Sequence, residues 1–167
     1  MSDNAPQVAG GTIDAIDLKI LAALQENSGR SNVDLAAAVG LSPSPCLRRV
    51  RALEERGLIR GYKATIDRRA VGLGVRAFVE VRLEGQTEGI TEKFLSRITR
   101  MPEVMSCYLM TGALDFLLDV VATDLDAYAE FTTKGLIGLP GVKEIRSSFV
   151  LKEIDGSGHL PLKHLSR

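Results

Sequence analysis

Tryptophan is absent from this chain of 167 residues, and aromatic side chains of any kind make up 5% of it, against a hydrophobic share of 45%. Aliphatic residues must therefore fill whatever core forms. There are two cysteines, Cys46 and Cys107, in different halves of the sequence. That spacing argues against a disulfide scaffold or a thiolate metal site, and both read as small buried hydrophobes. The two histidines, His159 and His164, both stand near the end, so metal chemistry lacks ligands. No run of 18 apolar residues occurs, which argues against a membrane span and a secretory signal and leads us to expect a cytoplasmic protein. No nucleophile-base pair, glycine-rich phosphate loop or ligand cluster stands out, so an enzyme is set aside and no cofactor is expected. Charge is balanced, 21 basic against 21 acidic residues, which makes any local excess informative.

One such excess lies between Ser42 and Lys63. Six basic residues (Arg48, Arg49, Arg51, Arg56, Arg60, Lys63) face two acidic ones (Glu54, Glu55), a local net of +4. Ser42 suits an N-cap, Pro43 the first helical position, and Gly57 a left-handed stop. Leu47, Val50 and Leu53 recur at helical spacing and are assigned to the inward stripe, leaving Ser44, Arg48 and Arg51 outward with Arg49 beside them.

The preceding sequence supplies a context for this basic helix. Asp14 to Gln25, with Ile16, Ile20, Leu21 and Leu24 behind Ile13, reads as an amphipathic helix, and Asn27-Ser28-Gly29 breaks it. Ser31 followed by Asp34 resembles a capping box opening a shorter helix through Leu35, Ala36 and Val39. Gly40 then permits a tight turn. Helix, helix, turn, basic helix is the order of a helix-turn-helix unit, whose last helix enters the major groove of double-stranded DNA. On that reading Arg48, Arg49 and Arg51, with Ser42, Ser44 and Pro45, meet phosphates and base edges, while Ser31 and Asn32 anchor the backbone. A solvated surface helix is the bland alternative for the same charges.

After a strand-like run from Ile59 to Ile66 and a loop from Asp67 to Gly74, the pattern changes. Phe78 to Leu83 alternates as a half-buried strand. Thr87 to Arg100 reads as a helix halted by Pro102, and Val104 to Thr111 and Phe116 to Ala122 as a hairpin around Gly112 to Asp115. Asp124 caps a second helix through Leu125, Tyr128 and Leu136, and Val142 to Leu151 closes with a strand. The order βαββαβ predicts a ferredoxin-like antiparallel sheet with both helices on one face. Its other face, with apolar residues of its own, favours pairing with a second copy. The expected fold class is α+β: a three-helix, winged helix-turn-helix followed by a ferredoxin-like domain. Five segments result: residues 1–12 as a flexible N-terminus, 13–60 as the DNA-binding domain, 61–74 as a hinge strand and linker, 75–154 as the ferredoxin-like oligomerisation domain, and 155–167 as a tail. The tail reads as loose, with an option to reach a neighbouring subunit.

The motifs Ile13-Asp14-Ala15-Ile16-Asp17, Leu41-Ser42-Pro43-Ser44-Pro45-Cys46-Leu47-Arg48-Arg49-Val50, Gly57-Leu58-Ile59-Arg60-Gly61-Tyr62, Met101-Pro102-Glu103-Val104, Thr111-Gly112-Ala113-Leu114-Asp115-Phe116 and Leu139-Pro140-Gly141-Val142 occur in that order. In this the sequence resembles the leucine-responsive and asparagine-responsive (Lrp/AsnC) transcriptional regulators over nearly everything after residue 12. The resemblance implies sequence-specific DNA binding modulated by a small effector, in most cases an amino acid, and homodimers assembling further into tetramers or octamers. It also implies that the turn holding Thr111, Gly112 and Asp115 lines the effector pocket, with Leu109, Leu125, Ile137, Phe149 and Val150 at positions that affect the response. Read from residues alone, that turn equally suits an ordinary hairpin, and the five apolar residues equally suit core packing. A nucleoid-type protein that wraps DNA without an effector stays open beside the regulator.

Overall fold

The computed structural model describes residues 12–85, 88–154 and 158–165, and the chain divides into two units. Residues up to Thr65, together with the described segment 158–165, form one, and Ile66–Ile154 form the other. The proposed flexible N-terminus, apart from Thr12, lies outside the described residues.

In the first unit three helices follow one another, α1 (Ala15–Glu26), α2 (Asn32–Val39) and α3 (Pro43–Glu55). Asp14 caps α1 through a reciprocal box: its carboxylate accepts from the amides of Ile16 (2.9 Å) and Asp17 (2.8 Å), and the Asp17 side chain accepts from the Asp14 amide. Ser31 caps α2, accepting from the Asp34 amide at 3.2 Å, while its hydroxyl donates to the Asp34 carboxylate at 2.6 Å. Gly40, at φ +76°, turns the chain into α3. Pro43 opens α3, and at its end the Leu58 amide reaches back to the Leu53 carbonyl (3.0 Å) and the Gly57 amide to that of Glu54 (2.9 Å). That is the double closure a left-handed residue permits, and Gly57 sits at φ +71°. Ile20, Leu35, Ala36, Val39, Cys46 and Leu53 form the core.

Two expectations need correction here. The inward stripe of α3 runs through Cys46, Val50 and Leu53, whereas Leu47 is 39% exposed. Two of the three expected positions, Val50 and Leu53, keep their inward places, and only the first moves, from Leu47 to Cys46. The run from Ile59 to Ile66 forms no strand, and Ile66 is 68% exposed. A ladder needs a partner, and none of the described residues supplies one. Tyr62 instead returns to α3, its hydroxyl donating to Glu54 at 2.8 Å.

The second unit is a four-stranded antiparallel sheet ordered β2-β3-β1-β4, with β1 (Val75–Leu83), β2 (Val104–Leu109), β3 (Phe116–Ala122) and β4 (Val142–Phe149). Helix α4 (Glu88–Ile98) and helix α5 (Leu125–Glu130) supply the covering layer, α5 running on into a wider π-type segment, Phe131–Leu136. Within it the Thr132 and Thr133 hydroxyls both donate back to helix carbonyls, including that of Ala129. The fold is ferredoxin-like, as the element order predicts. Ala77, Val79, Val81 and Leu83 of β1 and Phe116, Leu118, Val120 and Ala122 of β3 point to one face, packed against Phe94, Ile98, Tyr128, Phe131 and Leu136. The other face is less apolar than expected. Arg76 grips Asp119 through two bonds (2.9 and 2.8 Å), and Glu144 pairs with Arg82 (3.6 Å) and Arg146 (3.0 Å) among Phe78, Leu117 and Val121.

The Leu139-Pro140-Gly141-Val142 motif has a steric reason. Gly141 sits at φ +85°, and a Cβ there would stand 2.4 Å from Ile90 Cγ2. Gly141→Ala should therefore destabilise the second unit by about 1 to 3 kcal/mol, combining backbone strain with overpacking. Chemical denaturation monitored at the sheet tests this, and an unchanged midpoint contradicts it.

Candidate DNA-reading face and effector cleft

Helix α3 presents its first turn outward. Ser42 and Ser44 are exposed and Pro45 half-buried, and the Ser42 hydroxyl makes no capping bond although the residue holds the N-cap position. A free hydroxyl at a helix start, where amides are unpaired, suits a phosphate oxygen. Arg48 and Arg51 are exposed and form no ion pair among the described residues. Asn32 is half-used already: its side-chain amide donates to the Pro43 carbonyl at 2.8 Å and ties the start of α2 to that of α3. Ser31 serves as the α2 cap with its side chain at the surface.

Arg49 departs from the expected set. Its guanidinium reaches α1, where Nη1 donates to Asp14 (2.6 Å) and Asp17 (2.8 Å). Asp17 is only 7% exposed and has Arg56 at 4.0 Å as a second cation. A carboxylate so nearly buried requires a partner, and Arg49 supplies it. The Asp14 carboxyl is held below its ordinary value, first by the Asp17 amide and then by Arg49, and Arg49 is raised in turn by Asp14 and Asp17. The Ile13-to-Asp17 motif is thus a cap and an ion clamp in one. Arg49 ties α3 to α1, while Arg48 and Arg51 stay unengaged at the surface.

In the second unit, the turn between β2 and β3 borders a cleft of about 370 Å³ lined by Leu83, Thr91, Leu109, Met110, Thr111, Asp115 and Phe116. Gly112, at φ +107°, makes the turn possible. The structure brings together Leu109, Thr111 and Asp115 of the expected residues. It adds Thr91, Met110, Leu83 and Phe116, which sequence reasoning missed because their helical or strand spacing already explained them as packing. Leu109 is 75% exposed. Asp115 does structural work as well: its carboxylate accepts from the Leu83 amide (2.7 Å), and its own amide donates to the Val81 carbonyl (3.0 Å), pinning the turn to the end of β1. Leu125, Ile137, Phe149 and Val150 do not line this cleft. Leu125 and Ile137 are exposed, Phe149 stacks edge-on against Tyr128 at 4.9 Å, and the Val150 amide extends the β4 pairing to the Arg76 carbonyl. Among the described residues no group of His, Cys, Asp and Glu could hold a metal, and no helix is long and apolar enough to cross a membrane.

Comparison with known proteins gives a consistent result. Residues 13–60 match the winged helix-turn-helix DNA-binding model, and residues 76–160 match the Lrp/AsnC ligand binding domain. The Bkd operon transcriptional regulator of Pseudomonas aeruginosa is 48% identical over 142 residues, 85% of this chain and 93% of that protein. The leucine-responsive regulatory protein of Klebsiella pneumoniae is 38% identical over 154 residues, covering 92% and 94%. A solved transcriptional regulator of Neisseria meningitidis, in complex with L-Met, superposes with a TM-score of 0.88 at 44% identity, covering 92% and 99%.

Arg49→Ala strands the Asp17 carboxylate and should destabilise the first unit by about 1 to 3 kcal/mol, a buried-pair cost discounted for the partial exposure of the arginine. Because the Asp14 carboxyl is lowered in the fold, the stability it contributes is present above its ordinary value and is lost as pH falls through the lowered one. Thermal unfolding at pH 6 and at pH 3 should show a smaller acid loss in the variant than in the parent chain. Equal losses, or an unchanged midpoint at pH 6, would remove the clamp.

Proposed function

The chain belongs to the Lrp/AsnC family of transcriptional regulators, and from that premise we propose that it binds operator DNA through Ser42, Ser44, Pro45, Arg48 and Arg51. Ser31 and Asn32 hold the backbone beside α2, and Arg49 positions the helix. A free amino acid taken up beside Thr111, Gly112 and Asp115 adjusts that binding. The observation that carries the first half is the pair of unengaged guanidiniums on the outer face of α3, beside a third that is engaged. Forked donors of this kind match guanine edges and phosphate oxygens.

The cleft carries the second half. Its volume falls within the range of small-molecule sites, and its walls combine Leu83, Leu109, Met110 and Phe116 with Thr91, Thr111 and Asp115. Asp115 offers negative charge to an ammonium and the turn offers amides to a carboxylate, while the apolar wall favours a side chain such as that of leucine, methionine or phenylalanine. The L-Met bound to the Neisseria meningitidis regulator supports this class of ligand. Met105, Tyr108, Leu109 and Met110, exposed along β2, supply an apolar surface for a second copy, which supports a homodimer and its further assembly. Leu125, Ile137, Phe149 and Val150 act in this scheme through assembly, since none of them faces the cleft of its own chain. An effector that binds one assembly better than another shifts the population between them, and with it the spacing of the DNA-reading helices.

Arg48→Ala and Arg51→Ala should each weaken operator binding by about 1 to 3 kcal/mol while leaving the melting temperature unchanged. Fluorescence anisotropy on promoter fragments measures this, and full affinity in both variants would defeat the DNA-reading assignment. For the cleft, a thermal-shift screen of the twenty amino acids should give a hit among the apolar ones. Asp115→Asn, which keeps an acceptor for the Leu83 amide but removes the charge, should abolish that hit without weakening DNA binding. No response from any amino acid would sink the effector reading.

A further inference from the structure

The segment 158–165 reads in sequence as part of a loose tail, yet it forms part of the DNA-binding unit. The Gln25 side chain near the end of α1 accepts from the Leu160 amide at 2.6 Å and donates to the Leu160 carbonyl at 3.4 Å. Both backbone polar groups of one residue are thus met by one side-chain amide, the pairing that a neighbouring strand would otherwise provide. Pro161 follows directly and biases Leu160 toward the extended backbone this pairing needs. Leu162 and Leu165 are half-buried on either side of a short turn in which the Leu165 amide donates to the Leu162 carbonyl at 3.0 Å. Two apolar grooves flank the segment. The larger, about 1160 Å³, includes Leu21, Leu24, Leu58 and Ile59, and the smaller, about 780 Å³, includes Leu18 and Ala22.

We propose that this face of α1 is a docking site for the chain's own segment Gly158–Leu165, recognised by the Gln25 amide and seated through Leu162 and Leu165. The segment follows the sheet unit in sequence and belongs to the DNA-binding unit. Leu160 itself remains 71% exposed, and the contact has few apolar atoms to hold it, as a releasable strap requires. Its use in transmitting the effector signal rests on the regulator reading above, but the docking does not.

Residue-resolved amide hydrogen exchange on the full chain tests the site without any amino acid present. The Leu160 amide should exchange at least about tenfold more slowly than in an open peptide, corresponding to a contact closed most of the time. Gln25→Ala should return it to the open rate, while amides of α3 and of the sheet keep their protection. Leu162→Asp, which leaves Gln25 in place, should do the same through loss of the apolar seat. Leu160 exchanging freely in the parent chain, or staying protected in both variants, overturns the proposal. A short thiol cross-linker applied to the Ala22→Cys, Lys163→Cys double variant, which leaves Gln25, Leu162 and Leu165 in place, should join residues of one chain. Cross-links between chains would assign the groove to a second copy and overturn docking within the chain.

Discussion

The grip of Arg49 on Asp14 and Asp17 decides how the DNA-binding unit presents itself. Asp17 lies almost buried on the first turn of α1, and an ionised carboxylate there is tolerable only beside a cation. Once Arg49 is committed to that duty, the rotation of α3 about its axis is set. Cys46 and Leu53 turn into the core, Leu47 turns out, and Arg48, Arg51 and Ser44 face solvent together. The Ser42 cap position and the Gly57 closure fix where the helix begins and ends. A single ion cluster thus links α1 to the orientation of α3, the helix proposed to read DNA.

The sheet unit follows a parallel logic. Asp115 is held by the backbone of β1 while it borders a cleft, so the turn that would sense a ligand is also a joint between three strands. A ligand engaging that carboxylate acts directly on the end of β1 and on the exposed apolar edge of β2. In the proposed scheme sensing and assembly share the same few residues, which gives an effector a physical route to favour one assembly over another.

Much of this was legible in advance. The cap at Ser31 and the glycines at Gly40 and Gly57 are local chemistry and mark helix ends within a residue or two. The alternation in β1 and the breaker Pro102 made the βαββαβ order readable for the same reason. On α3 the outward Ser44, Arg48 and Arg51 and the inward Val50 and Leu53 were legible, but the duty of Arg49 was not, because its partners Asp14 and Asp17 lie on another helix far away in sequence. The absent strand after Ile59 shows the same limit, since strand propensity is realised only against a ladder partner. Of the residues expected around an effector, Leu109, Thr111 and Asp115 come together at one cleft because they sit on or beside one turn. Thr91 went unnoticed because it comes from α4, far away in sequence, and the docked segment 158–165 because its recognition depends on one glutamine side chain.

The most direct measurement of the central claim is nuclear magnetic resonance of the arginine side-chain Nε–H groups, in the free protein and with operator DNA added. The Arg49 signal should already be protected and displaced in the free protein and change little on DNA binding, while those of Arg48 and Arg51 become protected only with DNA. An Arg49 signal that is unprotected in the free protein and responds to DNA as the other two do would contradict the account.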